Sequence, residues 1–202
     1  MADAAPTASP LRQRRDEYTR RAILVAAQTL LEAHGPDGVS WRAVAEAVGY
    51  SPAALYRYFA NKDALLAALR ADGWARLAAF ETADPPPDAL ADRLQAYARR
   101  IVRFAAAHPH TYRLMAADPG TPPLTAEAWR ADPATAELLA ALGEAALPDG
   151  RTPEGVVFEV WLLAHGTAVL RQTLLSADGE MGGLAEGAIE GITNYELRIR
   201  NA

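Results

Sequence analysis

The reading starts from Ser51-Pro52-Ala53-Ala54-Leu55-Tyr56-Arg57-Tyr58-Phe59. Ser51 is a helix N-cap residue, and Pro52 follows at the first helical position, where the missing N–H has no partner to lose. Upstream lies Ser40-Trp41-Arg42-Ala43-Val44-Ala45-Glu46-Ala47-Val48, a second short helix with Ser40 as its cap and Val44, Ala45 and Val48 on one face. Gly49 stands where the chain must turn left-handed, which glycine does at little cost. Two capped helices joined by Gly49 and Tyr50 read as a helix-turn-helix, a motif whose second helix enters the DNA major groove. The same spacing also fits a helical hairpin in an ordinary bundle, with the tyrosines at a domain seam.

Leu55 and Phe59 are four residues apart and share the inward side of that second helix, with Pro52 one turn earlier. Ala53, Ala54, Tyr56, Arg57 and Tyr58 point outward. Two tyrosines flanking an arginine suit a phosphate-facing surface, because hydroxyl and guanidinium both bond phosphate oxygens. Two alanines let a helix come close to base edges and touch thymine methyls. Arg42, in the first turn of its helix, opposes the helix dipole, so approach to DNA explains it better than stability does. Lys62, the sole lysine of the chain, follows Asn61 at the start of the next helix, where backbone N–H groups favour an anion. It reads as a phosphate contact or as a solvated side chain.

Three stretches together, Val39-Ser40 through Gly49-Tyr50-Ser51, Leu55 through Phe59, and Asn61-Lys62-Asp63-Ala64-Leu65-Leu66, resemble the N-terminal domain of TetR-type transcriptional repressors. The resemblance spans about residues 16–70. Arg57-Tyr58 falls where family members vary, and Ala60 at a position often basic or small. It implies an all-α homodimer that binds double-stranded operator DNA and lets go when a small ligand enters a C-terminal helical domain. The candidate DNA-contacting set is Ser40, Trp41, Arg42, Ser51, Pro52, Ala53, Ala54, Tyr56, Arg57, Tyr58 and Lys62.

Outward from this centre, residues 16–34 form a first helix, with Ile23, Ala27, Leu30, Leu31 and His34 at three- and four-residue steps and Gly35-Pro36 as its stop. Residues 1–15 are expected to be a flexible arm. Arg12, Arg14, Arg15, Arg20 and Arg21 cluster around its end and suit phosphates or the minor groove; residues 1–10 equally fit a solvated tail. A fourth helix runs from about Asp63 to Phe80. Asp84-Pro85-Pro86-Pro87-Asp88 then interrupts the pattern, because consecutive prolines cannot continue a helix. The expected division is an arm at 1–15, a helix-turn-helix domain at 16–66, a connecting helix and linker at 67–87, and a helical ligand-binding and dimerisation domain at 88–202.

In that last domain Leu90, Leu94, Tyr97, Ile101 and Phe104 trace one helical face. Pro109 to Met115 is a short helix, and Leu138, Leu139 and Leu142 mark another. Val156 to Gly166 is hydrophobic nearly all round and is expected to be covered on every side. Gly166 in mid-helix suggests close approach of another backbone. A final helix over about 182–199 completes a four-helix dimer interface with candidates Leu162, Gly166, Val169, Leu184, Ile192 and Tyr195. Pro109–Met115 and Trp161-x-x-x-His165-Gly166 resemble a C-terminal subgroup of the same family.

Chemistry is sparse. The chain of 202 residues has no cysteine, so disulfides, thiol catalysis and Cys-based zinc sites are excluded. No metal-binding motif, Gly-rich phosphate loop, nucleophile elbow or cofactor fingerprint occurs. Glu159 and His165 lie on different faces of one helix. Phe104, His108, Tyr112, Met115, Trp129, Phe158, Trp161 and His165 suit the lining of a pocket for a mostly apolar small molecule, or plain core packing. Net charge is −5, yet residues 1–63 carry +1, so acidity is concentrated away from the motif. With no long apolar run and no leader-like start, a cytoplasmic protein without membrane contact is expected. Two other classes fit more loosely: an all-helical enzyme, and a protein-interaction module with a vestigial helix-turn-helix.

Overall fold

The computed structural model describes residues 10–80, 87–117, 129–130, 132–145, 147, 150–173 and 187. Among these, eight α-helices and no strands occur: α1 (Pro10–Gly38), α2 (Trp41–Ala47), α3 (Pro52–Leu55), α4 (Lys62–Ala79), α5 (Leu90–Ala107), α6 (Pro109–Ala116), α7 (Pro133–Gly143) and α8 (Pro153–Thr173). The chain forms two compact units, residues 1–70 and 71–202, whose division falls inside α4. Composition places the break at the prolines of 84–88. Contacts place it earlier.

The first unit is built on a buried row along α1, Ile23, Ala27 and Leu31, one turn apart. Val39, Val44, Ala45, Leu55, Phe59, Leu65 and Leu69 close around it, all buried. Val44 and Ala45 come from α2, Leu55 from α3 and Leu65 and Leu69 from α4, with Val39 and Phe59 from the connecting turns, so a modest core is assembled from four helices and their links. The helical run of α1 is broken at Gly35, where φ is 72°. Only glycine adopts that value without steric cost, so Gly35-Pro36 does end the first helix proper. The flexible arm expected at 1–15 is corrected from its tenth residue onward: α1 already begins at Pro10. Proline at the first position and the run Leu11-Arg12-Gln13-Arg14-Arg15, all good helix formers, account for the early start.

In the second unit α5 and α8 make the most extensive helix pair, and α7 packs on both. The α5 face comes out as its periodicity predicts, with Leu90, Leu94, Tyr97, Ile101 and Phe104 buried. Asp132 caps α7 by accepting from Thr135 N, and Pro133 follows it at the first position. Pro109 opens α6 in the same manner.

Within the described residues of one chain, α8 is not covered on every side and Gly166 has no close neighbour. Val157, Val160, Ala164 and Ala168 are buried, but Phe158 and Leu162 are about half exposed, as is Leu170. Among the described residues the helix is therefore covered on one side only, despite being apolar all round. At Gly166 a Cβ would meet nothing within 4 Å, so no described backbone approaches it. The close approach occurs at Gly73 on α4 instead, where a Cβ would stand 2.7 Å from Met115 Sδ and 3.0 Å from Thr111 Cγ2 of α6. The helix expected at 182–199, with Leu184, Ile192 and Tyr195, lies outside the described residues, as do residues 1–9 of the arm.

Candidate nucleic-acid interface and ligand cavity

The helix-turn-helix is fastened by its own polar groups. Ser40 Oγ accepts from Ala43 N at 3.1 Å and Ser51 Oγ from Ala54 N at 3.3 Å, so both serine hydroxyls serve as caps. Gly49 has φ 70°, the left-handed turn anticipated between the helices. Trp41 Nε1 donates to Pro52 O at 2.9 Å, and its ring lies 5.0 Å from that of Tyr56. Trp41 thus ties α2 to α3, and its one donor is spent inside the motif. Helix α3 itself is a single turn, prolonged by Arg57, Tyr58 and Phe59 N–H groups that bond back to Ala54 and Leu55 carbonyls.

Leu55 and Phe59 face inward and are buried. Ala53, Tyr56 and Arg57 are exposed, with Pro52 and Ser51 beside them, while Ala54 and Tyr58 are partly covered. Arg57 Nη2 holds both carboxylate oxygens of Asp16 at 2.7 and 2.8 Å. That bond and the carboxylate charge push the guanidinium pKa up, so Arg57 stays charged while it is anchored to α1. Arg20, which the sequence groups with a phosphate-seeking cluster, is exposed but engaged within the unit: Nη1 donates to Tyr58 O at 2.6 Å and the guanidinium lies 4.1 Å from the Phe59 ring centroid. Its role is to brace the turn after α3. Arg42 and Lys62 are exposed, and Asn61 Oδ1 caps α4 by accepting from Ala64 N at 2.8 Å.

A cavity of about 330 Å³ lies in the second unit, lined by Trp74, Leu77, Ala78, Tyr97, Arg100, Ile101, Trp129, Asp132, Pro133, Thr135 and Trp161. Of the eight aromatic and soft residues picked from sequence, Trp129 and Trp161 are in this wall. Phe104, Tyr112 and Met115 are fully buried in the core. His108 sits at the α5–α6 junction, its Nδ1 3.1 Å from Arg76 Nη2 and its ring 5.0 Å from Phe104. Phe158 stacks on Trp161 and meets Trp129 edge-on, with centroids 5.7 and 6.1 Å apart.

His165 lies flat on Trp161, centroids 4.9 Å apart, and its Nδ1 is 2.8 Å from Tyr112 Oη. Burial lowers the imidazole pKa and raises that of the phenol. The neutral pair is thereby favoured, with Tyr112 donating to Nδ1. The residues picked from sequence thus divide between the cavity wall (Trp129, Trp161), the core (Phe104, Tyr112, Met115), the α5–α6 junction (His108) and a stack that Phe158 and His165 form on Trp161.

What sequence missed is the polar side of the wall. Arg100 follows Tyr97 by three residues, so it borders the buried stripe of α5. It is itself buried, with Nη1 donating to Ala78 O at 3.2 Å and Nη2 standing 3.8 Å from Asp132 Oδ2. A charged residue at the edge of an apolar stripe was the available signal. No group of three or more His, Asp or Glu able to hold a metal occurs among the described residues, and none of their helices is long and apolar enough to cross a membrane.

A capped helix-turn-helix on a helical body with its own cavity defines the class of a DNA-binding regulator. Comparison with known proteins gives the family. Residues 23–69 match the model of bacterial regulatory proteins of the tetR family, and residues 94–174 match a tetracyclin repressor-like C-terminal domain. The chain belongs to the TetR family of transcriptional regulators. An HTH-type transcriptional regulator of Mycobacterium bovis is 31% identical over 111 residues, 54% of this chain and 47% of that protein. The chain thus spans about half the length of the curated relatives it matches. Among solved structures, a protein of unknown function from Rhodococcus sp. RHA1 superposes with a TM-score of 0.67 at 25% identity, over 88% of this chain and 94% of the other. A TetR variant from Acinetobacter baumannii, solved with minocycline, gives 0.63 at 22% identity over 89% and 97%. At that identity the second likeness speaks for the fold alone.

Proposed function

We propose that the chain is a homodimeric, cytoplasmic repressor that binds a palindromic operator and releases it when a small molecule fills the cavity of the second unit. The observation carrying this reading is the fastened helix-turn-helix. The Ser40 and Ser51 hydroxyls and the Trp41 indole N–H are spent on caps and ties, and the small residues Ala53 and Ala54 stand beside Tyr56 on α3. Family membership supports the same reading, and the resemblance of Trp161-x-x-x-His165-Gly166 to one C-terminal subgroup of the family supports placing the second unit there.

In the dimer the two α3 helices meet successive major grooves, about 34–36 Å apart. The half-exposed stripe Phe158, Leu162 and Leu170 on α8, with Val169 and Gly166 beside it, supports that helix as part of the subunit contact, because an isolated chain rarely leaves large apolar side chains in a row. A ligand shifts the DNA-binding equilibrium only as far as its affinities for the two states differ. No reaction is assigned to the chain.

The test is binding of purified protein to the DNA flanking its own coding region, with competitor DNA, at two salt concentrations. A footprinted palindrome is expected. Ala53→Trp should abolish protection at unchanged melting temperature, and Lys62→Ala should flatten the log–log salt dependence by about one unit. Competitor-sensitive binding with no footprint there or in a genome-wide selection would falsify the repressor reading.

A further inference from the structure

The cavity of the second unit holds more hydrogen-bond donors than acceptors. Trp74 and Trp129 each carry an Nε1–H, and Arg100 an Nε–H, that is buried without a partner among the described residues. The Trp129 N–H leans toward the Tyr97 oxygen without reaching hydrogen-bond geometry, so Trp74 and Arg100 are the clearer cases. A buried donor left unpaired forfeits its hydration with nothing in return, and folded proteins seldom leave several in one place.

The nearby acceptors are already engaged. Asp132 Oδ2 takes Thr135 N at 3.0 Å and Thr135 Oγ1 at 3.1 Å, and Tyr97 Oη pairs with Thr135 Oγ1 at 3.3 Å. Asp132 stands 3.8 Å from Arg100 Nη2, too far for a hydrogen bond. The Arg100 side chain, 8% exposed and 5.4 Å from the Tyr97 ring centroid, is thus paired with Asp132 only at ion-pair distance, and its Nε–H has no partner among the described residues. Around it the wall is largely apolar, with the indoles of Trp74, Trp129 and Trp161 and the aliphatic side chains of Leu77 and Ile101.

We infer that the effector is a flat, largely apolar molecule bearing one carboxylate, received by Arg100 and Trp74 with its ring system against the indoles. This rests on the reading of the cavity as the effector site and changes the ligand expected from sequence, which was mostly apolar. A hydrocarbon of the same shape fills the volume and leaves the donors unpaired. A carboxylate supplies two acceptor oxygens, in the geometry a guanidinium fork accepts. The cavity, at about 330 Å³, falls at the small end of ligand sites and suits a bicyclic acid.

The test is isothermal titration of the full chain with 2-naphthoate and with 2-naphthalenemethanol, which shares its ring system. The acid should bind at least about tenfold more tightly, the ratio one charge-assisted hydrogen bond commands. Arg100→Gln should remove that preference with alcohol binding nearly unchanged. Trp74→Phe, which keeps the ring and deletes the N–H, should narrow it about threefold to tenfold and decides the matter where the Arg100 variant does not fold. Equal affinity of the wild-type chain for acid and alcohol, or a preference surviving both substitutions, overturns the carboxylate and leaves the effector site standing. Binding of neither probe at millimolar concentration by a chain that still footprints its operator overturns the effector site and the carboxylate together, with the repressor reading intact.

Discussion

The two units treat their polar groups in opposite ways. In the first, Ser40, Ser51, Asn61, Trp41, Arg20 and Arg57 each bond to a neighbour within the same few helices. In the second, the N–H donors of Trp74 Nε1 and Arg100 Nε, both on cavity-lining side chains, are buried with no partner among the described residues. A part that must present one fixed surface gains from satisfying itself. A part that must respond to a visitor gains from keeping bonds in reserve, at some expense in stability of the empty form.

The largest effect that sharpens this contrast is expected at Gly73→Ala. The new Cβ would meet Met115 Sδ at 2.7 Å, and forcing α4 and α6 apart should cost about 1–3 kcal/mol. Thermal unfolding should show the loss. An unchanged melting temperature would mean that Met115 simply swings aside. Next comes a matched pair of indole substitutions. Trp41→Phe removes a used donor and should cost about 1 kcal/mol, with weaker operator binding. Trp74→Phe removes an unused one, so relief of the unpaired group should offset the lost contacts and leave stability nearly unchanged. Equal losses for the two would break the comparison.

The smallest effect is a pH dependence. The folded-state pKa of His165 is below its ordinary value of 6.5 because the imidazole is buried. The unfolded chain therefore takes up the proton first, and stability contributed by His165 is complete above pH 6.5 and declines as pH falls toward the lowered folded value. Melting temperatures between pH 7.5 and 5.5 should fall less for His165→Gln than for the wild-type chain. Parallel curves would show that the imidazole titrates normally.

The reading head was legible in the sequence because its determinants are local. Caps at Ser40 and Ser51, the left-handed Gly49 and the inward pair Leu55 and Phe59 all act within a few residues of one another. The early start of α1 was missed because a basic, proline-flanked stretch reads as disordered by composition, although its residues are individually good helix formers. The cavity was illegible for a different reason. Trp74, Arg100 and Asp132 come from three separate segments, and nothing in the spacing of any one shows that their polar ends converge. Picking out aromatics instead selected the ladder Phe158, Trp161 and His165 and the core residues Phe104 and Tyr112. Size and apolarity do not distinguish a lining from a filling. In α8 the pattern showed an apolar surface on all sides and could not show that one side is left for something outside the described chain.

The placement of the indoles has a practical consequence. Of the four tryptophans in the chain, Trp74, Trp129 and Trp161 line the cavity, and Trp41 packs on Tyr56 in the reading head. The protein is thus born with its own optical probe. Light emitted by the Trp41→Phe variant comes from the cavity wall alone, so a compound library can be screened in a fluorimeter with no dye attached and no operator in the cuvette.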